Sequence, residues 1–327
     1  MASKSPRVSV LIPSYNHARF LAECVGSVQG QTFEDWEVIL VDDCSQDDSV
    51  AIASELANHD ERIAVHQNTS NMGTYGTLQR ALDLSNGDYV AVLNSDDVWK
   101  PEKLSAQVSA LDAHPECSFA ITRGWMVDDS GVIDETNDVH ADWPSEDLAD
   151  LLPWLLMENR VLASSVLFRR ARLTFDASAR YSGDWLALLR QVLLGQAYIV
   201  PERLTLWRQH SHNTYTRSAN QVEEEIAMRL AIDEASELWL AKTPGELAAQ
   251  KLAHNLVNLH ALFILVGDRT NAGHVIKRAH VRFPNDPLVK KRYLLSKLPL
   301  QIQRMRLWKG ERMVLPAQRR QFEIKFG

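Results

Sequence analysis

Tyr89-Val90-Ala91-Val92-Leu93-Asn94-Ser95-Asp96-Asp97 is the stretch on which the fold turns. Its first five residues carry little polarity and form a short, β-rich run, the pattern of a parallel strand buried on both faces. The run stops abruptly in an amide, a hydroxyl and two carboxylates. In an open α/β sheet, ligands bind outside the carboxyl ends of the strands. Two adjacent carboxylates there repel each other unless a cation sits between them and the ligand, and a hard divalent metal carrying phosphate oxygens meets that need. The plainer reading is a solvated turn that caps the helix beginning near Pro101. The rest of the chain decides between the two.

Upstream, Val8-Ser9-Val10-Leu11-Ile12 reads as a buried strand ended by Pro13-Ser14-Tyr15-Asn16, and Trp36 to Val41 as a second, ended by Asp42-Asp43-Cys44-Ser45. Arg62 to His66 is a third. Helical patterns run over Ala18 to Val28, from Asp47-Asp48-Ser49 through Ala57, and over Thr77 to Leu84, with Asn68 to Gly76 as a polar loop. The acids at Asp47 and Asp48 lie where a helix dipole favours them. This alternation predicts an α/β domain with a mostly parallel, doubly wound sheet and helices on both faces. Three strands then end in polar clusters on one edge, at Tyr15-Asn16, Asp42-Asp43 and Asp96-Asp97, and together they predict a pocket. No G-x-G-x-x-G follows the first strand and no G-x-x-x-x-G-K-[ST] occurs, which argues against a dinucleotide fold and a P-loop enzyme.

The pattern changes after Cys117. A strand at Ser118 to Thr122, a hairpin at Trp125 to Ile133, an apolar-striped helix at Ser145 to Met157 and a strand at Ser164 to Arg169 are expected. A helix follows Tyr181-Ser182-Gly183-Asp184-Trp185, then short strands at Tyr198 to Val200 and Leu204 to Arg208. Beyond Ala219 the periodicity is helical throughout. The expected division is a domain over 1–218 and a helical C-terminal domain over 219–327.

With 327 residues, 45% of them apolar, the chain can bury a sizeable core. Three cysteines, Cys24, Cys44 and Cys117, in no metal-like spacing suggest a reducing compartment without a disulfide framework. Met1 to Arg7 does not read as a secretory leader, and no run reaches the ~20 apolar residues of a spanning helix. The net charge of -7 is unevenly spread: Lys277 to Gly327 holds fourteen Lys or Arg against three acids, +11, so the remainder carries -18.

In order and spacing, these motifs resemble the GT-A-fold glycosyltransferases of family 2, bacterial and of the surface-polysaccharide type. The resemblance spans residues 7 to 215. It rests on the opening Val8 to Asn16, Val41-Asp42-Asp43-Cys44-Ser45-Gln46-Asp47, Asn71-Met72-Gly73, Gly87-Asp88-Tyr89-Val90 and Asn94-Ser95-Asp96-Asp97. Downstream come Trp99-x-Pro101-x-Lys103-Leu104, Ser165 to Arg170, Gly183-Asp184 and Trp207-Arg208-Gln209-His210. The resemblance implies a Rossmann-like GT-A domain followed by helices. It implies that Pro13 and Tyr15 shape a base pocket, with Tyr15 stacking on the base, and that Asp42 or Asp43 accepts a hydrogen bond from the base imide. Asp96 would lie by the ribose or donor sugar. Asp97 would bind Mn²⁺ or Mg²⁺, with His210 as a second contact to the metal or diphosphate. Asp184 would be the general base, and Trp185 after it would floor the acceptor pocket. Arg123 and Arg217 are further candidates for diphosphate contact.

The implied chemistry is coherent. A metal stabilises charge on a departing diphosphate without proton transfer, and a separate carboxylate takes the acceptor's proton as attack develops. In-line attack inverts the anomeric carbon. Three departures from the family pattern stand out: Thr77-Leu78-Gln79 lacks a phosphate-contacting Arg, Cys44-Ser45 replaces Gly-Ser, and Gly183 replaces the acid that often precedes the base.

The expectation is therefore a cytoplasmic, metal-dependent, inverting transferase that moves a sugar from a nucleotide-diphosphate donor, a UDP-sugar in the first instance, to a glycan or lipid-linked glycan hydroxyl in surface polysaccharide synthesis. The alternative is a catalytically silent nucleotide-sugar-binding or scaffold protein acting through its helical tail. The basic tail reads as a solvated helical face, as a peripheral membrane contact through Leu300, Ile302, Leu307 and Trp308, or as a surface for another subunit. It carries no recognised nucleic-acid module. The sugar, linkage, acceptor and oligomeric state have no signature in the sequence.

Overall fold

The structure, a computed structural model, describes residues 5–136, 138–140, 143–210, 219–299 and 303. Two compact units divide the chain. One comprises Met1–Leu151 and Arg160–Asn213, the other Leu152–Asn159 and Thr214–Gly327. The boundary expected near Ser218 falls in 211–218, outside the described residues, as do Arg217, Leu300, Ile302, Leu307 and Trp308.

The first unit opens with β1 (Val8–Ser14), α1 (Ala18–Gln29), β2 (Trp36–Asp42), α2 (Ser49–His59), β3 (Ile63–Gln67), α3 (Gly73–Leu84) and β4 (Tyr89–Val92). It continues through β5 (Val98–Trp99), α4 (Lys103–Ala113), β6 (Cys117–Val127), β7 (Ile133–Asp134) and β8 (Leu148–Ala149). The one-turn α5 (Leu152–Leu155) belongs to the other unit. β9 (Val166–Arg169), α6 (Gly183–Gln191) and β10 (Gln196–Arg208) complete the first.

The sheet runs β3-β2-β1-β4-β9-β6-β10-β5. β3, β2, β1 and β4 are mutually parallel, β6 and β10 are parallel, and β9 lies antiparallel between β4 and β6. The mostly parallel sheet between helices is thus as the sequence predicts. α1 shows why: Phe20, Leu21, Cys24, Val25 and Val28 recur at helical spacing and are all buried, each large side chain contributing roughly 1.5–3 kcal/mol. All but Phe20 meet Val8, Val10 and Ile12 of β1 and Val38 and Leu40 of β2 in one core. Pairing of β4 with β1 ends at Leu11–Val92, so Pro13 sits where β1 has a neighbour on one side only. A proline is tolerated there because no ladder hydrogen bond is lost.

Four expectations change. α3 begins at Gly73, inside the stretch read as a polar loop, because the Met72 and Gly73 N–H groups donate to Asp43 and Gly73 takes φ +76°. Ser145 to Met157 is not one helix but β8 followed by α5. The separate strands expected around 118–127 and 198–208 are two long ones, β6 and β10, with β10 shifting register between Val200 and Arg203. The continuous helical periodicity beyond Ala219 breaks at Ala235, so that Ala219–Glu234 and Ser236–Lys242 are separate helices.

In the second unit α7 (Ala219–Glu234), α8 (Ser236–Lys242), α9 (Glu246–Val266), α10 (Arg269–Arg282) and α11 (Pro287–Leu295) follow one another. α9 ends on Gly267 in the left-handed conformation, and Asp268 then caps α10 by accepting from Asn271 N–H at 3.1 Å. The core of this unit gathers Ile226, Leu256, Leu259, Phe263, Ile276 and Val289. α5 packs on α9, with Lys251 Nζ 4.0 Å from the Trp154 ring centre and Arg229 donating to the Met157 carbonyl at 2.7 Å. Among the described residues no helix is long and apolar enough to cross a membrane.

Candidate functional site

The carboxyl ends of β1, β2 and β4 lie side by side, since Ser14 is in register with Asp42 and Leu11 with Val92. The polar clusters read from the sequence therefore share one edge. The two Asp pairs on that edge each divide their work.

At β2, Asp43 is spent on structure. Its Oδ1 accepts from Met72 N–H at 2.7 Å and from the Asn68 amide at 2.8 Å, and its Oδ2 from Gly73 N–H at 2.8 Å. Asp42 accepts from Ser45 N–H at 2.9 Å through Oδ2, while its buried Oδ1 has no partner among the described residues. The hydroxyl of Ser14 beside it is likewise buried and unpartnered. Leaving such groups unsatisfied costs about 1–3 kcal/mol each, so a ligand donor is the natural complement. Of the two carboxylates expected at the base pocket, Asp42 has the acceptor to offer. Tyr15 is 46% exposed at the same edge, open to stacking, and Pro13 is half-buried beneath it. Asn16 holds the turn at φ 54°, accepting from Gln46 N–H at 2.7 Å.

At β4 the division repeats. Asp97 is 1% exposed; Oδ2 accepts from the Ser164 hydroxyl at 2.5 Å and Oδ1 from Arg208 N–H at 2.9 Å. Burial, and then the neighbouring Asp96 charge, hold its carboxyl well above the usual carboxylate range. Asp97, the expected metal ligand, accepts protein donors on both oxygens, which leaves a carboxylate lone pairs to spare; among the described residues a metal-capable cluster lies beside it and does not include it. That cluster is His17, Asp96 and His210, whose ligand atoms all fall within 4.8 Å of one another. His210 Nε2 lies 3.0 Å from Asp96 Oδ2, and His17 Nδ1 lies 2.8 Å from the Ser95 hydroxyl. Phe20 stacks on His210 with ring centres 4.9 Å apart.

Arg208, 2% exposed, locks this arrangement. Its Nε donates to the Asp96 carbonyl at 3.0 Å, Nη1 to the Asp129 carbonyl at 3.1 Å, and Nη2 to Glu23 at 2.7 Å. It thereby ties β10 to the β4 edge and to the β6–β7 turn. His17, Ser164 and Arg208 were not singled out from the sequence. His17 follows directly on the polar end of β1, a position that could have marked it, whereas Ser164 lies seventy positions from Asn94 and nothing local announces it.

Asp184 stands in the first turn of α6, its Oδ1 accepting from Trp185 N–H at 2.7 Å and from Tyr75 Oη at 3.1 Å. Trp185, expected to floor the acceptor pocket, is 6% exposed. Arg123 donates to the Pro144 carbonyl at 3.3 Å.

The family described as "Glycosyl transferase family 2" matches residues 9–155. TuaG of Bacillus subtilis, provisionally named a teichuronic acid biosynthesis glycosyltransferase, is 39% identical over 37% of this chain and 48% of its own length. EpsE of the same organism, provisionally named a glycosyltransferase, is 36% identical over 40% of this chain and 47% of its own. The chain thus spans about half the length of these curated relatives. Among solved structures, S. aureus TarS 1–349 in complex with UDP-GlcNAc superposes with a TM-score of 0.62 at 18% identity, covering 89% of this chain and 90% of that one. The mannosyltransferase PcManGT of Pyrobaculum calidifontis, in complex with GDP-Man and Mn²⁺, gives 0.54 at 14% identity over 92% and 86%. The likeness to solved structures is one of fold, and the fold is GT-A. Residues 9–155, somewhat under half of the chain, are what resembles glycosyl transferase family 2.

Proposed function

We propose that this chain, built on a family 2 glycosyltransferase domain, transfers a sugar from a nucleotide-diphosphate donor to a hydroxyl of a glycan or lipid-linked glycan, with inversion and with a divalent cation. The observation that carries the proposal is the convergence of His17, Asp96 and His210, from the segments that follow β1, β4 and β10, on the edge that also presents Asp42 Oδ1 and the Ser14 hydroxyl, both unpartnered among the described residues. Two imidazoles and a carboxylate suit Mn²⁺ better than Mg²⁺, which favours an all-oxygen shell. When bound, the cation would supply charge stabilisation for the departing diphosphate. Asp42 Oδ1 receives the base imide, Tyr15 stacks on the base, and Asp184 takes the acceptor's proton. The names of TuaG and TarS support a UDP-sugar and an acceptor in surface polysaccharide synthesis. The three free cysteines, two of them buried, favour a cytoplasmic setting.

Calorimetry with UDP, GDP and ADP, each with and without Mn²⁺, tests this. We expect tighter binding of one nucleotide with Mn²⁺ than without, and loss of the Mn²⁺ effect in Asp96→Ala. Absence of nucleoside diphosphate binding under all conditions would favour the silent scaffold.

A further inference from the structure

We infer that Tyr75 is a positioning residue for Asp184, holding the carboxylate in the orientation from which it accepts a proton; this rests on Asp184 being the base. Tyr75 sits in the first turn of α3, and that turn is fixed by Asp43 through the Met72 and Gly73 N–H groups. The tyrosine is 8% exposed. Its ring lies flat against Gly183: a Cβ there would come within 2.4, 2.5 and 2.7 Å of three ring atoms, so only glycine admits the ring. A ring so enclosed cannot swing, and its hydroxyl is held 3.1 Å from Asp184 Oδ1.

At neutral pH a phenol donates and a carboxylate accepts. Tyr75 Oη and Trp185 N–H therefore converge on a single oxygen of Asp184, one from α3 and one from α6. Two donors from different elements restrict the rotation of the carboxyl group. A base must meet its proton within hydrogen-bond reach, so restricting that rotation bears on rate. The chain of contacts also runs back to the donor edge: Asp43 anchors α3, α3 carries Tyr75, and Tyr75 holds Asp184. Gly183 and Tyr75 act as a pair, the missing side chain of one making room for the ring of the other.

Tyr75→Phe keeps the ring and removes the hydroxyl, so the packing on Gly183 survives. Release of UDP or GDP would be followed from UDP-glucose, UDP-galactose, UDP-GlcNAc and GDP-mannose with Mn²⁺. For the donor turned over, kcat should fall about 10- to 100-fold with donor KM within twofold. The acid limb of the kcat/KM profile should move to higher pH, since the ionised carboxylate loses a donor. Independently of turnover, ¹³C carboxyl NMR, with the Asp184 signal identified by its loss in Asp184→Asn, should show the Asp184 titration rising by about one unit in Tyr75→Phe. An unshifted Asp184 titration in Tyr75→Phe overturns the inference, as does unchanged kcat alongside an inactive Asp184→Asn. Full activity in Asp184→Asn would instead overturn the assignment of the base on which it stands.

Discussion

Each of the two adjacent aspartate pairs divides its work, one at the end of β2 and the other in the turn that follows β4. The order is the same in both. Asp42 keeps an acceptor oxygen without a partner among the described residues and Asp96 meets His210, while Asp43 and Asp97 accept from backbone, amide and hydroxyl donors. The pairs were visible in the sequence, but which donors each member meets depends on the local turn and on Ser164 and Arg208, far along the chain. The two members should fail differently. Asp97→Ala strands the Ser164 hydroxyl and Arg208 N–H in a buried site and should destabilise the protein by about 1–3 kcal/mol, seen as a lower urea midpoint. Asp96→Ala should unfold near the wild-type midpoint and lose the Mn²⁺-dependent gain in nucleotide binding. Equal midpoints for the two variants would refute this division.

At the scale of elements, the buried strands β1, β2 and β4 were legible because short apolar runs ending in polar clusters have few other readings. β6 and β10 were not read whole: Gly124 and Pro201 interrupt their patterns, and the register shift near Pro201 lets β10 continue where periodicity stops. α3 was read four residues short, because its start depends on Asp43 rather than on a local cap, and Tyr75 was left in a loop as a result. The loop between β7 and β8 holds a titrating group of its own. His140 is 3% exposed, both ring nitrogens lack partners among the described residues, and burial pushes it down to about 4. Asp138 opposes that shift, while Arg123 and Arg203 reinforce it. A histidine held neutral in the folded state and titrating near 6.5 when unfolded contributes stability that is present above pH 6.5 and lost as pH falls from about 6.5 to about 4. The full loss is at most about 3 kcal/mol. His140→Phe should flatten that limb of a stability–pH curve measured by urea unfolding, and an unchanged slope would show that other groups set it.

For the whole molecule, the asymmetry of charge was plain in the sequence, yet its use was not. Part of the basic excess is internal to the helical unit, where Arg278 pairs with Asp233 and Arg282 reaches Glu237 at 2.9 Å. Those cations are therefore partly committed before any lipid surface is met. The division of the chain was harder still, because Leu152–Asn159 sits within the sheet-forming sequence but packs with the helices. A protein ended at residue 210 would leave Leu152, Leu155 and Leu156, all fully buried in the whole chain, without α9 to cover them. Such a truncation should aggregate or bind a hydrophobic dye where the full chain does not, as size-exclusion chromatography and dye fluorescence would show; a monodisperse, dye-silent fragment would contradict it. The same arrangement has a consequence for manufacture in the cell. Leu155 precedes Glu246, the first residue of α9, by 91 positions (246 − 155). At ~5–20 residues per second of translation, that apolar turn waits roughly 5–18 s outside the ribosome before its partner exists. Any pause in translation over 160–246 lengthens the wait, so the nascent chain depends on a holding chaperone in proportion to how slowly it is made.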